Sequence, residues 1–280
     1  MSTGANTDST PSANTSLPFD SINPTGKPTI LLIHGSFSTG HDWDPVIFHL
    51  RKTTTYHILA PDLPAHGRAS ALPFTVASAS SHLATLITNE AHDGKAHIVG
   101  LSMGAYVAAH LASHYPDCCP TVFATGFNIR DPSPSFLAPI APSVFWGMQS
   151  ATDLLPRSVV EWAIDADLPV SQKGVVTKAL CAEILKMLEP ASVKENVGVV
   201  RARMLVVAAM KSGIVPSGDR VEDARGVVEL AREGAGTGEI RVVKHAGMRH
   251  AWNRQDPDLF ARAVVAWVER AEVVEGFEDV

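Results

Sequence analysis

Short, unbroken apolar runs alternate with amphipathic stretches through most of the chain. Residues 28–33 read Pro-Thr-Ile-Leu-Leu-Ile, as expected of a strand buried on both faces of a parallel sheet. Residues 56–60, 97–100, 121–125, 203–209 and 239–243 repeat the pattern. The intervening stretches have helical period. Residues 43–52 put Val46, Ile47 and Leu50 on one face, and residues 78–89 do the same with Leu83, Leu86 and Ile87. An Ala-rich helix runs from Met103 to near Pro116, another is expected over 221–232, and a last one from Pro257 carries Phe260, Val264, Val265 and Trp267. Strands alternating with helices predict the α/β class: a mostly parallel sheet of about six or more strands flanked by helices, with right-handed crossovers.

The pattern lapses twice. Residues 1–27 are rich in Ser, Thr, Asn, Pro and Gly, bury too little to offset their ordering entropy, and read as a disordered arm. Residues 127–200 carry Pro-rich turns and helical pieces, notably 156–165 and 175–188, but no convincing strand. They read as a helical cap inserted into a core made of residues 28–126 and 201–280.

One junction carries chemistry. Gly100-Leu101-Ser102-Met103-Gly104 lies between the 97–100 strand and the Ala-rich helix. A serine on so sharp a strand-to-helix turn needs small neighbours, and the turn lifts its hydroxyl above the sheet edge. Ser102 is therefore a candidate nucleophile; a helix N-cap serine is the plainer reading of the same residues.

Composition narrows the classes. The 280 residues are 45% hydrophobic and 19% charged, which suits a globular body. The net charge of -6 and the lack of a basic run argue against nucleic acid and anionic membrane as partners. Cys118, Cys119 and Cys181 form no disulfide framework, and no Cys/His spacing suggests a metal, so neither metal nor cofactor is expected. No run is long enough to span a membrane and the start lacks a secretory pattern, so a cytoplasmic protein is expected. A homodimer is compatible with all of this.

Four motifs together resemble the α/β-hydrolase superfamily across about residues 28–268. They are His34-Gly35 after the first strand, Asp62-Leu63-Pro64-Ala65-His66-Gly67 after the second, the Ser102 elbow, and Arg249-His250-Ala251-Trp252 before the last helix. The resemblance implies Ser102 as nucleophile, His250 as its base, and an oxyanion hole from the backbone N–H groups of Met103 and Ser36, with Phe37 as the alternative to Ser36. His245 is the runner-up base. His34, His66, His97 and His110 are expected to shape loops.

The same resemblance places an acid after strand 203–209. That loop reads Met210-Lys211-Ser212-Gly213-Ile214-Val215-Pro216, with Ser212 at the expected position and no carboxylate. Asp219 and Asp131 are the acid candidates. Asp219 reads more readily as the N-cap of the helix at Val221, and Asp131 as an Asp-Pro turn residue. Asn128 could orient a histidine as a neutral partner.

The leading functional reading is a serine hydrolase that cleaves an ester, lactone or thioester of a small apolar metabolite. The cap residues Phe136, Leu137, Ile140, Val144, Phe145, Trp146, Leu154, Leu155 and Trp162 suit an apolar pocket, with ordinary packing of the cap on the core expected to account for most of them. The unfilled acid position motivates two alternatives: a lyase, cyclase or carbon–carbon bond hydrolase on the same fold, and a non-catalytic ligand-binding protein.

Overall fold

The structure is a computed structural model, and it describes residues 16–130, 134, 137–151, 154, 174–212, 218–232, 238–272 and 274–280. One eight-stranded sheet organises it. Strands β1 (Phe19–Ile22), β2 (Thr29–Ile33), β3 (His57–Pro61), β4 (His97–Leu101), β5 (Thr121–Thr125), β6 (Arg203–Ala209), β7 (Ile240–His245) and β8 (Glu278–Asp279) lie in the order β1-β3-β2-β4-β5-β6-β7-β8. The run from β3 to β7 is parallel, and only the edge strands β1 and β8 are antiparallel to their neighbours.

The apolar runs are continuous because both faces of the sheet are covered. Leu31, Ile33, Ile98, Val122, Met204 and Val206 face one layer, with helices α2 (Val76–Glu90), α3 (Met103–His114) and α7 (Val221–Arg232). Ile30, Leu32, Val99, Phe123, Leu205 and Val207 face the other, with α1 (Asp44–Thr53) and α8 (Pro257–Val268). Neighbouring residues along each strand thus serve opposite cores.

Among the described residues between β5 and β6 are the helices α4 (Ala141–Ala151), α5 (Lys178–Met187) and α6 (Pro190–Val197). Helices α4 and α5 pack on each other, whereas α6 packs on α3 and α7 through the buried Val193 and Val197. The helix expected at 156–165 lies outside the described residues.

Two local differences have clear causes. Helix α2 begins at Val76 rather than 78, because Thr75 Oγ1 accepts from the Ser78 N–H while Ser78 Oγ accepts from the Thr75 N–H, each at 3.0 Å. The arm expected over 1–27 does not hold in its second half. Phe19–Ile22 is strand β1, registered on Ile58–Pro61 of β3, and Leu17 before it is buried in the core. Backbone pairing along a sheet edge orders a segment that has no apolar run of its own. Among the described residues, no helix is long and apolar enough to cross a membrane.

Candidate active site

Ser102 sits at the carboxyl end of β4 with φ 56° and ψ -120°, a region that L-residues rarely occupy, and it leads directly into α3. Holding a side chain there costs about 1–3 kcal/mol, which the surrounding contacts must sustain. The Ser102 N–H donates to the Thr125 carbonyl at 2.8 Å, so the adjacent β5 strand fixes the elbow. The flanking glycines are required by crowding. A Cβ on Gly104 would stand 2.3 Å from the Ile33 carbonyl oxygen, and one on Gly100 2.4 Å from that of Gly104. The motif is thus a packing solution for bringing a helix end against two strands.

His250 lies in the turn after β7. Its surroundings are tied down on both sides: the Arg249 N–H donates to Gln255 Oε1 at 2.7 Å, and the buried Trp252 indole N–H reaches Thr125 Oγ1. His250 Nδ1 is 2.6 Å from Asp219 Oδ1. Asp219 is itself clamped to the end of β6. Its N–H donates to the Ala209 carbonyl at 2.8 Å, and its Oδ2 accepts from the Ala209 N–H at 2.9 Å. The carboxylate oxygen accepts, so Nδ1 carries the proton of this contact, and whenever the ring is neutral Nε2 is its acceptor nitrogen. Burial pushes the His250 pKa down, but the charge and hydrogen bond of Asp219 outweigh it against a smaller opposition from Arg254; the net shift is upward. The ring keeps one-third of its surface exposed, at 33%.

Gly126, just beyond β5, separates the serine from the histidine. It has φ 87°, and a Cβ placed there would lie 2.8 Å from His250 Cε1 and 3.1 Å from the Ser102 nitrogen. Ser102, Gly126 and His250 line one cavity of about 500 Å³ together with Ser36, Asn128, Arg130, Phe145, Ile184, Met187, Leu188 and Gly218. The loop at Ser36 is shaped by Phe37, whose φ of 60° turns the chain and whose carbonyl accepts from the Gly174 N–H at 2.7 Å. Met103 is the first residue of α3, so its N–H has no partner within the helix and points from the helix start toward the elbow.

A second polar group lies at the ends of β2 and β3. His34 Nδ1 donates to the Gly35 carbonyl at 2.8 Å and Nε2 accepts the Leu63 N–H at 3.0 Å, which joins the ends of β2 and β3. His66 donates from Nδ1 to the Pro64 carbonyl and stands edge-on to His34 at 5.0 Å. Burial lowers the pKa of His34 to about 4 and that of His66 to about 3, so both are neutral structural rings.

Residues 30–263 match the family model described as "Alpha/beta hydrolase family". The chain belongs to the alpha/beta hydrolase family. It is 36% identical over 265 residues to an AB hydrolase superfamily protein of Gibberella zeae, covering 94% of this chain and 88% of that one. It is also 36% identical over 95 residues to a pimeloyl-[acyl-carrier protein] methyl ester esterase of Neisseria meningitidis, covering 34% of each chain. Among solved structures, a thermophilic esterase from Thermogutta terrifontis superposes with a TM-score of 0.62 at 20% identity, over 91% of this chain and 93% of that one. This last likeness concerns the fold.

Within this alpha/beta hydrolase the residues singled out in the sequence separate cleanly. Ser102, His250, Ser36 and Asn128 share the cavity, with Met103 directly after the elbow. Asp219 is not the N-cap that its position suggested, because its carboxylate is divided between Ala209 and His250. Asp131 lies outside the described residues. His245 ends β7, packs on Phe277 at 4.8 Å and accepts the Gly247 N–H, away from the cavity lining. Of the cap residues expected to wall the pocket, Phe145 does so, while Leu137, Ile140, Val144, Trp146 and Leu154 are exposed. Phe136, Leu155 and Trp162 lie outside the described residues. Sequence reasoning missed Ile184, Met187 and Leu188, which supply most of the apolar wall from the end of α5.

Proposed function

We propose that this alpha/beta hydrolase is a serine hydrolase that cleaves an ester, thioester or lactone of a small acyl substrate. The observation that carries the reading is the 2.6 Å contact between His250 Nδ1 and Asp219 Oδ1 at the wall of the cavity that Ser102 lines. In this scheme Nε2 of His250 takes the Ser102 proton as Oγ attacks the substrate carbonyl. The negative oxygen that forms is held by the backbone N–H groups of Met103 and Ser36. His250 then gives its proton to the leaving alcohol or thiol, and the acyl group stays on Ser102. A water molecule, deprotonated by His250, releases the acid and restores the serine. Asp219 holds the ring and stabilises its charged form.

The lyase, cyclase and ligand-binding readings drew on an unfilled acid position. With a carboxylate on His250 they lose that motive. A fluorophosphonate probe tests the proposal: it should label the folded protein at Ser102, and Ser102→Ala should abolish both labelling and release of p-nitrophenol from p-nitrophenyl butyrate. Turnover that survives in Ser102→Ala would remove the acyl-enzyme from the mechanism.

A further inference from the structure

The cavity that Ser102 and His250 line is also lined by a cation, Arg130. Its side chain is exposed, and among the described residues its guanidinium makes no ion pair and no hydrogen bond. Among the described residues no carboxylate lines the cavity, and Asp219 spends its oxygens on Ala209 and His250. The backbone that carries Arg130 is nevertheless firmly placed. Its own N–H donates to the Leu188 carbonyl at 2.9 Å. Two residues earlier, Asn128 is gripped at both ends by one hydroxyl: Tyr106 Oη donates to the Asn128 carbonyl at 2.6 Å and accepts the Asn128 N–H at 2.9 Å. A fixed backbone and a guanidinium without a counter-charge among the described residues, in a cavity whose other described lining holds no acid, are suited to a planar anion.

We infer that the substrate carries a carboxylate in addition to its scissile acyl bond, and that Arg130 binds that carboxylate. The apolar side chains of Ile184, Met187 and Leu188 would cover the methylene chain between the two ends. Arg130 is then a specificity-determining residue that selects mono-anionic acyl esters over neutral ones of the same length. The inference rests on the proposed hydrolase reading only for which end of the ligand faces Ser102.

Binding and turnover separate the two ideas. Monoethyl adipate and diethyl adipate, which differ in one charge, are titrated by calorimetry into Ser102→Ala protein. The half-ester should bind about tenfold more tightly, the difference should shrink as salt rises, and Arg130→Gln in the same background should erase it. Arg130→Lys should restore part of it. In the protein with Ser102 intact, Arg130→Gln should raise KM for the half-ester more than for the diester, and change KM for the half-ester more than its kcat. Equal binding of the two esters, or a preference that survives Arg130→Gln, overturns the inference. A charge preference without ethanol release from either ester would support the inference and count against hydrolysis.

Discussion

The Trp252 indole N–H donates to Thr125 Oγ1 at 3.0 Å, and so links the residue two positions after His250 to the residue just before Gly126. Both partners are fully buried. This bond sets the distance between the loop that bears the histidine and the strand that supports the serine. Trp252→Phe keeps most of the packing but strands the threonine hydroxyl, at about 1–3 kcal/mol of stability. The expected kinetic result is a lower kcat with KM little changed, read by steady-state assays beside a urea titration. Loss of stability with unchanged kcat would restrict the bond to packing.

Asp219→Asn should be far more damaging to rate than to folding. Replacement of a carboxylate that holds the histidine typically lowers turnover about 10⁴-fold. The pH profile gives an independent reading. Asp219 raises the His250 pKa, and the base must be neutral, so activity in the native protein falls as pH drops through that raised value. In Asp219→Asn the acidic limb should move to lower pH. A profile of kcat/KM that stays in place would show that another group orients the ring.

Gly126→Ala tests the cradle between the two side chains proposed to react, Ser102 and His250. The new methyl meets His250 Cε1 and the Ser102 nitrogen at once, and φ 87° is unfavourable for alanine. A displacement of the ring of about 1 Å can cost about 10²-fold in rate. The variant should lose kcat by at least that factor, and a structure of it should show His250 moved. Near-native activity would mean that the ring has room the geometry does not indicate.

The neutral pair His34 and His66 makes stability depend on pH. Their folded pKa values, about 4 and about 3, lie below the ordinary histidine value. Between about pH 6.5 and these values the unfolded chain takes up protons that the folded chain refuses. Stability is therefore full above the ordinary pKa and declines as pH falls through this window, by about 2 kcal/mol per histidine at pH 5. Urea midpoints at pH 7 and pH 5 measure this, and His66→Gln should flatten the slope. An equal midpoint at both values would contradict the burial argument.

The elements legible in the sequence are those whose pattern is local. The six parallel strands show as apolar runs because both faces of each are buried, and the helix over 221–232 shows its full extent. The elbow was legible because close approach dictates glycine on both sides of Ser102. Strands β1 and β8 were not, since Phe-Asp-Ser-Ile and Glu-Asp have no apolar run and are strands only by virtue of a neighbour. Ile184, Met187 and Leu188 escaped notice because helical period marks an apolar face without saying which cavity it meets. Asp219 was the instructive case. Counted along the chain it stands ten positions past Ala209, yet its backbone and side chain both return to that residue.

That double attachment frees the acid from the arithmetic of its loop. Ala209 specifies where the carboxylate stands, while the Lys211 N–H donates to the Met248 carbonyl at 2.7 Å and ties the chain after β6 to the turn that bears His250. Because one residue of β6 holds both the backbone and the side chain of Asp219, the place of the carboxylate beside His250 follows the strand and not the number of residues that separates the two in sequence.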